Sequence, residues 1–291
     1  MKGAGRHGFN TFLFLLPWLV TFGVFSLYPL LSAFWTSFTH YNPVSSRPAE
    51  FIGLANYARL LKDPLFWKSL GVTMIFVVGT IPLTTIGALL LALGLNRRLP
   101  ARALFRAGYF LPTIVSIVVI SLIFKSFYAP FGFVNAALQL VGLPGRAWLQ
   151  DPATALPAVM LMDVWAAVGY YAIIYLAGMQ AIPHELYEAA AMDGGTGWRK
   201  HWHITLPLLR STTLFILVIN TIRSFQVFIE IFMMTRGGPL NSTLTTVFYL
   251  YDRAFTSFDL GYASAMAYVL FAVTLGASLV YVRILTQKEP T

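Results

Sequence analysis

The sequence predicts an all-α integral membrane protein with six transmembrane helices, on three observations. Of its 291 residues 57% are hydrophobic and only 11% are charged, against about 25% charged in an ordinary soluble domain. The 20 Lys and Arg and 11 Asp and Glu side chains are too few to clothe a globule of this length in water, whereas a lipid-facing surface needs none. The apolar residues also fall in six long unbroken runs, and crossing the hydrocarbon takes about 20 such residues as a helix. Barrel strands would be short and alternating, so the spans are helices. Mean hydropathy is +0.70.

The runs lie at roughly 11–35, 69–95, 108–127, 153–180, 208–234 and 262–285. The first follows Lys2 and Arg6, as a secretion signal would. Its apolar core runs on for about 25 residues, beyond the 7–15 of a signal peptide, and no A-x-A site follows, so a retained helix is expected. The loop 36–68 carries Pro43, Pro48, Pro64, Tyr41, Tyr57 and Trp67, which suits a headgroup-level cap with short amphipathic helices. Lys125, near the outer end of the third run, is expected to snorkel to the headgroups. Gly237-Gly238-Pro239 is expected to form an external turn ahead of the sixth run. No internal repeat or low-complexity tract is visible, and residues 1–291 read as one membrane domain.

Net charge is +9, but apolar segments separate the basic residues. That pattern suits anchoring to anionic lipid and not nucleic-acid binding. With the N-terminus inside, the inner segments hold Lys2, Arg6, Arg97, Arg98, Arg102, Arg106, Arg199, Lys200, Arg210, Arg283 and Lys288. These eleven stand against eight on longer external loops, which places both termini and the loop 181–207 in the cytoplasm. The absence of cysteine excludes disulfides and Cys-ligated metals. The five histidines lack metal spacing, and no nucleophile–base pair is evident. No catalytic residue, metal ligand or cofactor is therefore expected.

Residues 181–207 form a patterned polar loop between the fourth and fifth runs. Pro183 suits the first turn of a helix, where no amide hydrogen bond is lost. His184 to Asp193 are helix formers around a smooth Ala189-Ala190-Ala191 face, and Gly194-Gly195 is a helix stop. A second short helix is expected from Trp198 to Ile204, with Pro207 opening the fifth span. The result is a helix–glycine–helix knob in which Glu188 offers a charge to a basic partner residue.

Polar residues at mid-membrane are costly and usually face a bundle interior or a water-filled path. The fourth run holds Asp163, Trp165, Tyr170, Tyr171 and Tyr175; Asp163, Ala167 and Tyr170 share one helix face at i, i+4, i+7. The fifth holds Asn220, Arg223, Ser224, Gln226 and Glu230, with Asn220, Ser224 and Val227 on one face. Asp163, Tyr170, Asn220 and Ser224 each read equally as path lining or as a polar contact between helices. Arg223, Gln226 and Glu230 read as structural contacts first. If Arg223 reaches the path, an anionic solute such as a sugar phosphate follows.

The chain resembles the sugar-type permease subunits of type I ABC importers, the group with the maltose and glycerol-3-phosphate permeases. The resemblance rests on Phe51-Ile52-Gly53-Leu54-Ala55-Asn56-Tyr57, Asp63-Pro64-Leu65-Phe66-Trp67 and Ile182-Pro183-His184-Glu185-Leu186-Tyr187. It continues through Glu188-Ala189-Ala190-Ala191-Met192-Asp193-Gly194, Thr205-Leu206-Pro207-Leu208-Leu209, Gly237-Gly238-Pro239 and Gly261-Tyr262-Ala263-Ser264-Ala265. These stretches run in family order over nearly the whole chain. Two positions depart: Gly195 replaces the usual Ala, and His201 stands where the family usually has Phe.

The resemblance implies the permease fold of that class, with the loop as a coupling helix seated in a cytoplasmic ATPase. Glu188, Ala189, Ala190, Asp193, Gly194, Ile204, Leu206 and Pro207 would be its coupling residues. Asp163, Ala167, Tyr170, Asn220, Ser224 and Val227 fall on sugar-contacting positions of the maltose-type permease. The implied partners are a second, homologous permease subunit in a heterodimer, an ATPase dimer, an extracytoplasmic solute-binding protein and membrane lipid. The location implied is a bacterial or archaeal inner membrane. The chain has no G-x-x-x-x-G-K-[ST] phosphate loop, so a separate subunit would hydrolyse ATP. Three other readings stay open: a permease for glycerol phosphate or another sugar-like anion, an ion-gradient-driven secondary carrier, and a membrane enzyme using Asp163 and Glu230. The second would often show inverted repeats, which are not evident here.

Overall fold

The structure, a computed structural model, describes the backbone of residues 4–96, 102–192 and 197–286 and the side chains of 12–96, 108–192 and 197–284. Helix α1 (Ala4–Phe22) passes through a π-helical turn into α2 (Tyr28–Thr36). A ribbon of β1 (Thr39–His40) and β2 (Glu50–Phe51) precedes α3 (Ala55–Leu61) and the long α4 (Pro64–Asn96). Then come α5 (Arg102–Ile114), α6 (Ile117–Phe127), α7 (Phe133–Leu140) and α8 (Pro152–Gln180). The loop elements are α9 (His184–Met192), α10 (Trp198–Lys200) and α11 (Leu206–Leu208). The chain continues through α12 (Arg210–Phe225), α13 (Ile229–Met234), α14 (Thr246–Tyr251) and α15 (Leu260–Thr286).

Five stretches among the described residues are long and apolar enough to cross a membrane: Phe12–Thr36, Pro64–Asn96, Pro152–Gln180, Arg210–Met234 and Leu260–Ile284. Each lies within a few residues of a run read from the sequence. The third run departs from expectation. In place of one straight helix over 108–127, Gly108–Ile114 and Ile117–Phe127 meet at 113°. Pro112 lies in the last turn of α5, and Ser116 is extended, with φ −58° and ψ 134°. A proline at that position removes an intrahelical bond and prepares the break.

The chain packs as two compact units. One comprises residues up to Asp63 with Leu250–Val269. Within it the ribbon is held in register Thr39↔Phe51. The buried Asn56 amide donates to the carbonyls of Ser37 and Thr39, both at 2.9 Å. Arg59 pairs with Asp259 at 2.7 Å and lies over the Tyr262 ring, whose hydroxyl donates to Asp63 at 2.6 Å. Gly261 packs so closely that a Cβ there would collide with the Thr39 carbonyl oxygen. Gly261→Ala is therefore expected to destabilise the protein by about 1–3 kcal/mol, the usual range for overpacking. A lowered thermal unfolding midpoint in detergent checks this; an unchanged midpoint refutes it.

The other unit, Pro64–Tyr249 with Leu270 onward, is built around α4 against α8. Phe76, Val159 and Met162 are fully buried in one apolar cluster; Ala88, Ala92, Tyr171 and Tyr175 belong to a second. Small residues let the helices approach: a Cβ at Gly169 of α8 would meet the backbone carbonyl of Tyr109 in α5. Ser69, Thr73 and Thr80 are buried on α4. Thr73 and Thr80 donate to carbonyls four residues back at 2.9 and 2.8 Å, which satisfies their hydroxyls inside an apolar helix.

Candidate functional site

Two places in the larger unit concentrate chemistry: a charged cluster in mid-span and the loop after α8. The charged cluster begins with α8, which starts on Asp151, whose carboxylate accepts the Ala153 amide at 2.9 Å. Twelve residues later α8 buries Asp163, 2% exposed, against α12. The fifth span is not continuous. Helix α12 ends at Phe225 and α13 begins at Ile229, with Phe228 at φ −141° and ψ −56°. Interrupted backbone is tolerated at membrane depth only where protein or a cavity takes its polar groups. Here the Thr245 hydroxyl donates to the Val227 carbonyl at 3.1 Å.

The break brings opposite charges to opposite helix ends. Arg223 lies in the last turn of α12 and Glu230 in the first turn of α13, each the favourable end for its sign. Arg223 Nη2 donates to Asp163 Oδ1 at 2.7 Å and lies 3.6 Å from Glu230 Oε1. The carboxylate side chains are only 3% and 9% exposed; that of Arg223 is 37% exposed.

Two clefts meet at Arg223. One, of about 320 Å³, is lined by Pro112, Thr113, Ala167, Tyr170 and Arg223 among others. The second, of about 580 Å³, is lined by Arg223, Gln226, Val227, Phe228 and Glu230 with neighbouring isoleucines. The six path residues named from the sequence therefore divide. Ala167 and Tyr170 line the first cleft, and Val227 lines the second. Asp163 lines neither and anchors Arg223. Asn220 and Ser224, 1% and 2% exposed, are buried on α12, where the Ser224 hydroxyl donates to Asn220 Oδ1 at 3.4 Å one turn back. Arg223 and Glu230 do pair, as the sequence reading favoured, yet they also line the clefts. Gln226, read first as a structural contact, also lines the second cleft, and Pro112 and Thr113 are cleft residues that sequence reasoning missed. Pro112 was the available signal, because a proline inside an apolar run marks a bend.

The loop after α8 forms α9 and then, from Gly197, a helical stretch running through a π-helical turn at His201–Thr205 into α11. The expected second helix over Trp198–Ile204 is thus a wider-wound one. Tyr187 fastens the two arms: its hydroxyl lies 2.9 Å from that of Thr205, and Lys200 Nζ donates to its carbonyl at 3.1 Å. His201 turns onto its own loop, with Nδ1 3.2 Å from the Thr205 hydroxyl and its ring edge-on to Trp198. Glu188 is exposed and touches His184 at 2.9 Å, one turn back. Ala189 is exposed and Ala190 half-buried; Ile204 and Leu206 are half-buried and Pro207 exposed. Asp193 and Gly194, the remaining coupling candidates, lie outside the described residues. The same loop leaves Leu186, Met192, Trp198 and Trp202 exposed, Met192 at 88%. Exposed large apolar side chains on a charged loop suit a surface that a partner covers.

Beyond α13, Gly237-Gly238-Pro239 makes a turn with left-handed residues at Arg236 and Gly237, closed by the Thr243 hydroxyl donating to the Gly238 carbonyl at 2.7 Å. Lys125, expected at the headgroups, is exposed and donates to the Met233 carbonyl at 3.1 Å, where α6 lies against α13.

Comparison with known proteins bears on the family and the fold. The family described as binding-protein-dependent transport system inner membrane component matches residues 80–288. The sulfoquinovosyl glycerol transport system permease protein SmoG of Agrobacterium fabrum is 36% identical over 282 residues, covering 95% of this chain and 90% of that protein. The lactose transport system permease protein LacF of Rhizobium radiobacter is 36% identical over 286 residues, covering 96% and 94%. A chain from the crystal structure of a bacterial ABC transporter that imports the acidic polysaccharide alginate superposes with a TM-score of 0.85 over 98% of each chain, at 24% identity.

Proposed function

Since this chain belongs to the family of binding-protein-dependent transport system inner membrane components, we propose that it is the permease subunit of an ATP-driven importer for a sugar or oligosaccharide. It forms half of the translocation path beside a second, homologous permease. The loop 181–207 seats in a cytoplasmic ATPase dimer, and a solute-binding protein delivers cargo from the outer side. The termini and the loop then face the cytoplasm, in keeping with the Lys and Arg distribution. The observation that carries this reading is the loop: an exposed carboxylate on a segment that also leaves Leu186, Met192, Trp198 and Trp202 bare, on a chain without a phosphate-binding motif. The cargo class is supported by relatives named for lactose and sulfoquinovosyl glycerol. It is supported too by clefts combining an aromatic face with amide and charged groups, the mixture that orients a hydroxyl-rich solute.

The test is uptake by the reconstituted importer, with its partner permease, ATPase and binding protein. Sugar is expected to accumulate with ATP and not with an imposed ion gradient alone; gradient-driven uptake by the chain without an ATPase would establish the carrier reading instead. In the same assay Tyr170→Ala removes an aromatic face worth about 1 kcal/mol or more, so uptake should fall about fivefold or more while the subunits still co-purify. Unchanged kinetics would take Tyr170 out of the path.

A further inference from the structure

Relatives of this chain are named for cargo of different charge: lactose is neutral, whereas sulfoquinovosyl glycerol carries a sulfonate. Membership therefore leaves the charge of this chain's cargo open, and the break in the fifth span bears directly on it. Arg223 lines both clefts, and alone it would attract a carboxylate or phosphate. It is not alone. Asp163 lies 2.7 Å away and Glu230 3.6 Å away, both almost wholly buried. Two carboxylates around one guanidinium give a net charge of −1 when both are ionised and zero when they share a proton. Neither state carries a net positive charge. In a poorly solvated interior a surplus charge acts with far more force than in water.

The neutral partners point the same way. Gln226 is exposed at the break and lines the second cleft, offering donors and an acceptor suited to hydroxyls. The Tyr171 hydroxyl, beside Arg223 on the wall of the first cleft, adds a further neutral polar group.

We propose that the paired clefts at the helix break act as a charge filter, admitting uncharged polyhydroxylated solutes and rejecting anions, with Glu230 as the specificity-determining residue. The proposal rests on the transport reading above. Asp163 neutralises Arg223, and Glu230 supplies the surplus negative charge on the wall of the larger cleft. An anionic cargo, which an isolated Arg223 would suggest, is thereby disfavoured.

The experiment is isothermal titration of the purified complex of permease pair and ATPase, without binding protein. The probes are lactose and maltose, each against its acid, lactobionate or maltobionate. Wild type is expected to bind at least one neutral sugar about tenfold or more tighter than its acid, a difference of about 1.4 kcal/mol. Glu230→Gln should remove most of that preference by strengthening acid binding, and Glu230→Asp, which keeps the charge, should retain it. Should the Gln variant fail to assemble, the wild-type ratio and the Asp variant still decide. Equal binding of sugar and acid by wild type, or a preference unmoved by Glu230→Gln, overturns the filter. So does failure of wild type to bind either neutral sugar. Absence of ATP-driven uptake in the assay above removes the transport reading itself, whereas uptake with indiscriminate binding removes only the filter.

Discussion

Arg223→Leu should be among the most damaging single substitutions in this chain, costing about 3–5 kcal/mol, because it leaves two buried carboxylates without their cation. Asp163 and Glu230 come from α8 and α13, so the loss falls on the contact of three helices and not on one. The cost is a desolvation cost. It should therefore be recovered by neutralising the carboxylates, and Arg223→Leu combined with Asp163→Asn and Glu230→Gln is expected to regain most of the lost stability. Unfolding midpoints of the purified single and triple variants in detergent check this. A wild-type midpoint for Arg223→Leu alone would mean that water reaches the cluster and that the charges are solvated singly. No gain in the triple variant would mean that the guanidinium acts through packing.

Glu188→Lys is expected to leave folding intact and abolish coupling. The side chain is 67% exposed and its polar contact among the described residues, to His184, is exposed as well. Surface pairs of that kind contribute little, so the change should move stability by less than about 0.5 kcal/mol. Buried under a partner, the same position matters far more: losing one member of an interfacial charge pair costs about 2–5 kcal/mol, and reversal adds repulsion. Uptake should fall about thirtyfold or more while the ATPase keeps its own turnover. A compensating reversal of the facing basic residue in the ATPase should restore uptake. Normal uptake by Glu188→Lys would remove the loop from the coupling path.

Much of this arrangement was legible in the order of residues. Helices near 64–96, 152–180, 210–234 and 260–284 follow from apolar runs about as long as the hydrocarbon is thick. The loop was legible too, since Pro183, the alanine run and Pro207 each impose a local geometry whatever surrounds them. The bend at Ile114–Ile117 was half legible, through Pro112. The break at Gln226–Phe228 was not, because neither glycine nor proline marks it; it stands because Thr245, nearly twenty residues on, covers the Val227 carbonyl. Asn220 and Ser224 look like path residues on a helical wheel, and in the structure that face turns into the protein.

Hydropathy along a chain specifies how many helices cross the bilayer and where the polar loop between the fourth and fifth must lie. These are local quantities, set by length and composition. It does not specify how each helix is rotated about its axis. Helices α4 and α8 have almost no amphipathic face, because lipid and protein interior are equally apolar and make no contrasting demand on opposite sides. Rotation is decided by close packing at positions such as Gly169 and by the pairing of Asp163 with Arg223, sixty residues apart. Only in three dimensions does that pairing form, turning a lone intramembrane cation, which would have suggested anionic cargo, into a cluster without net positive charge.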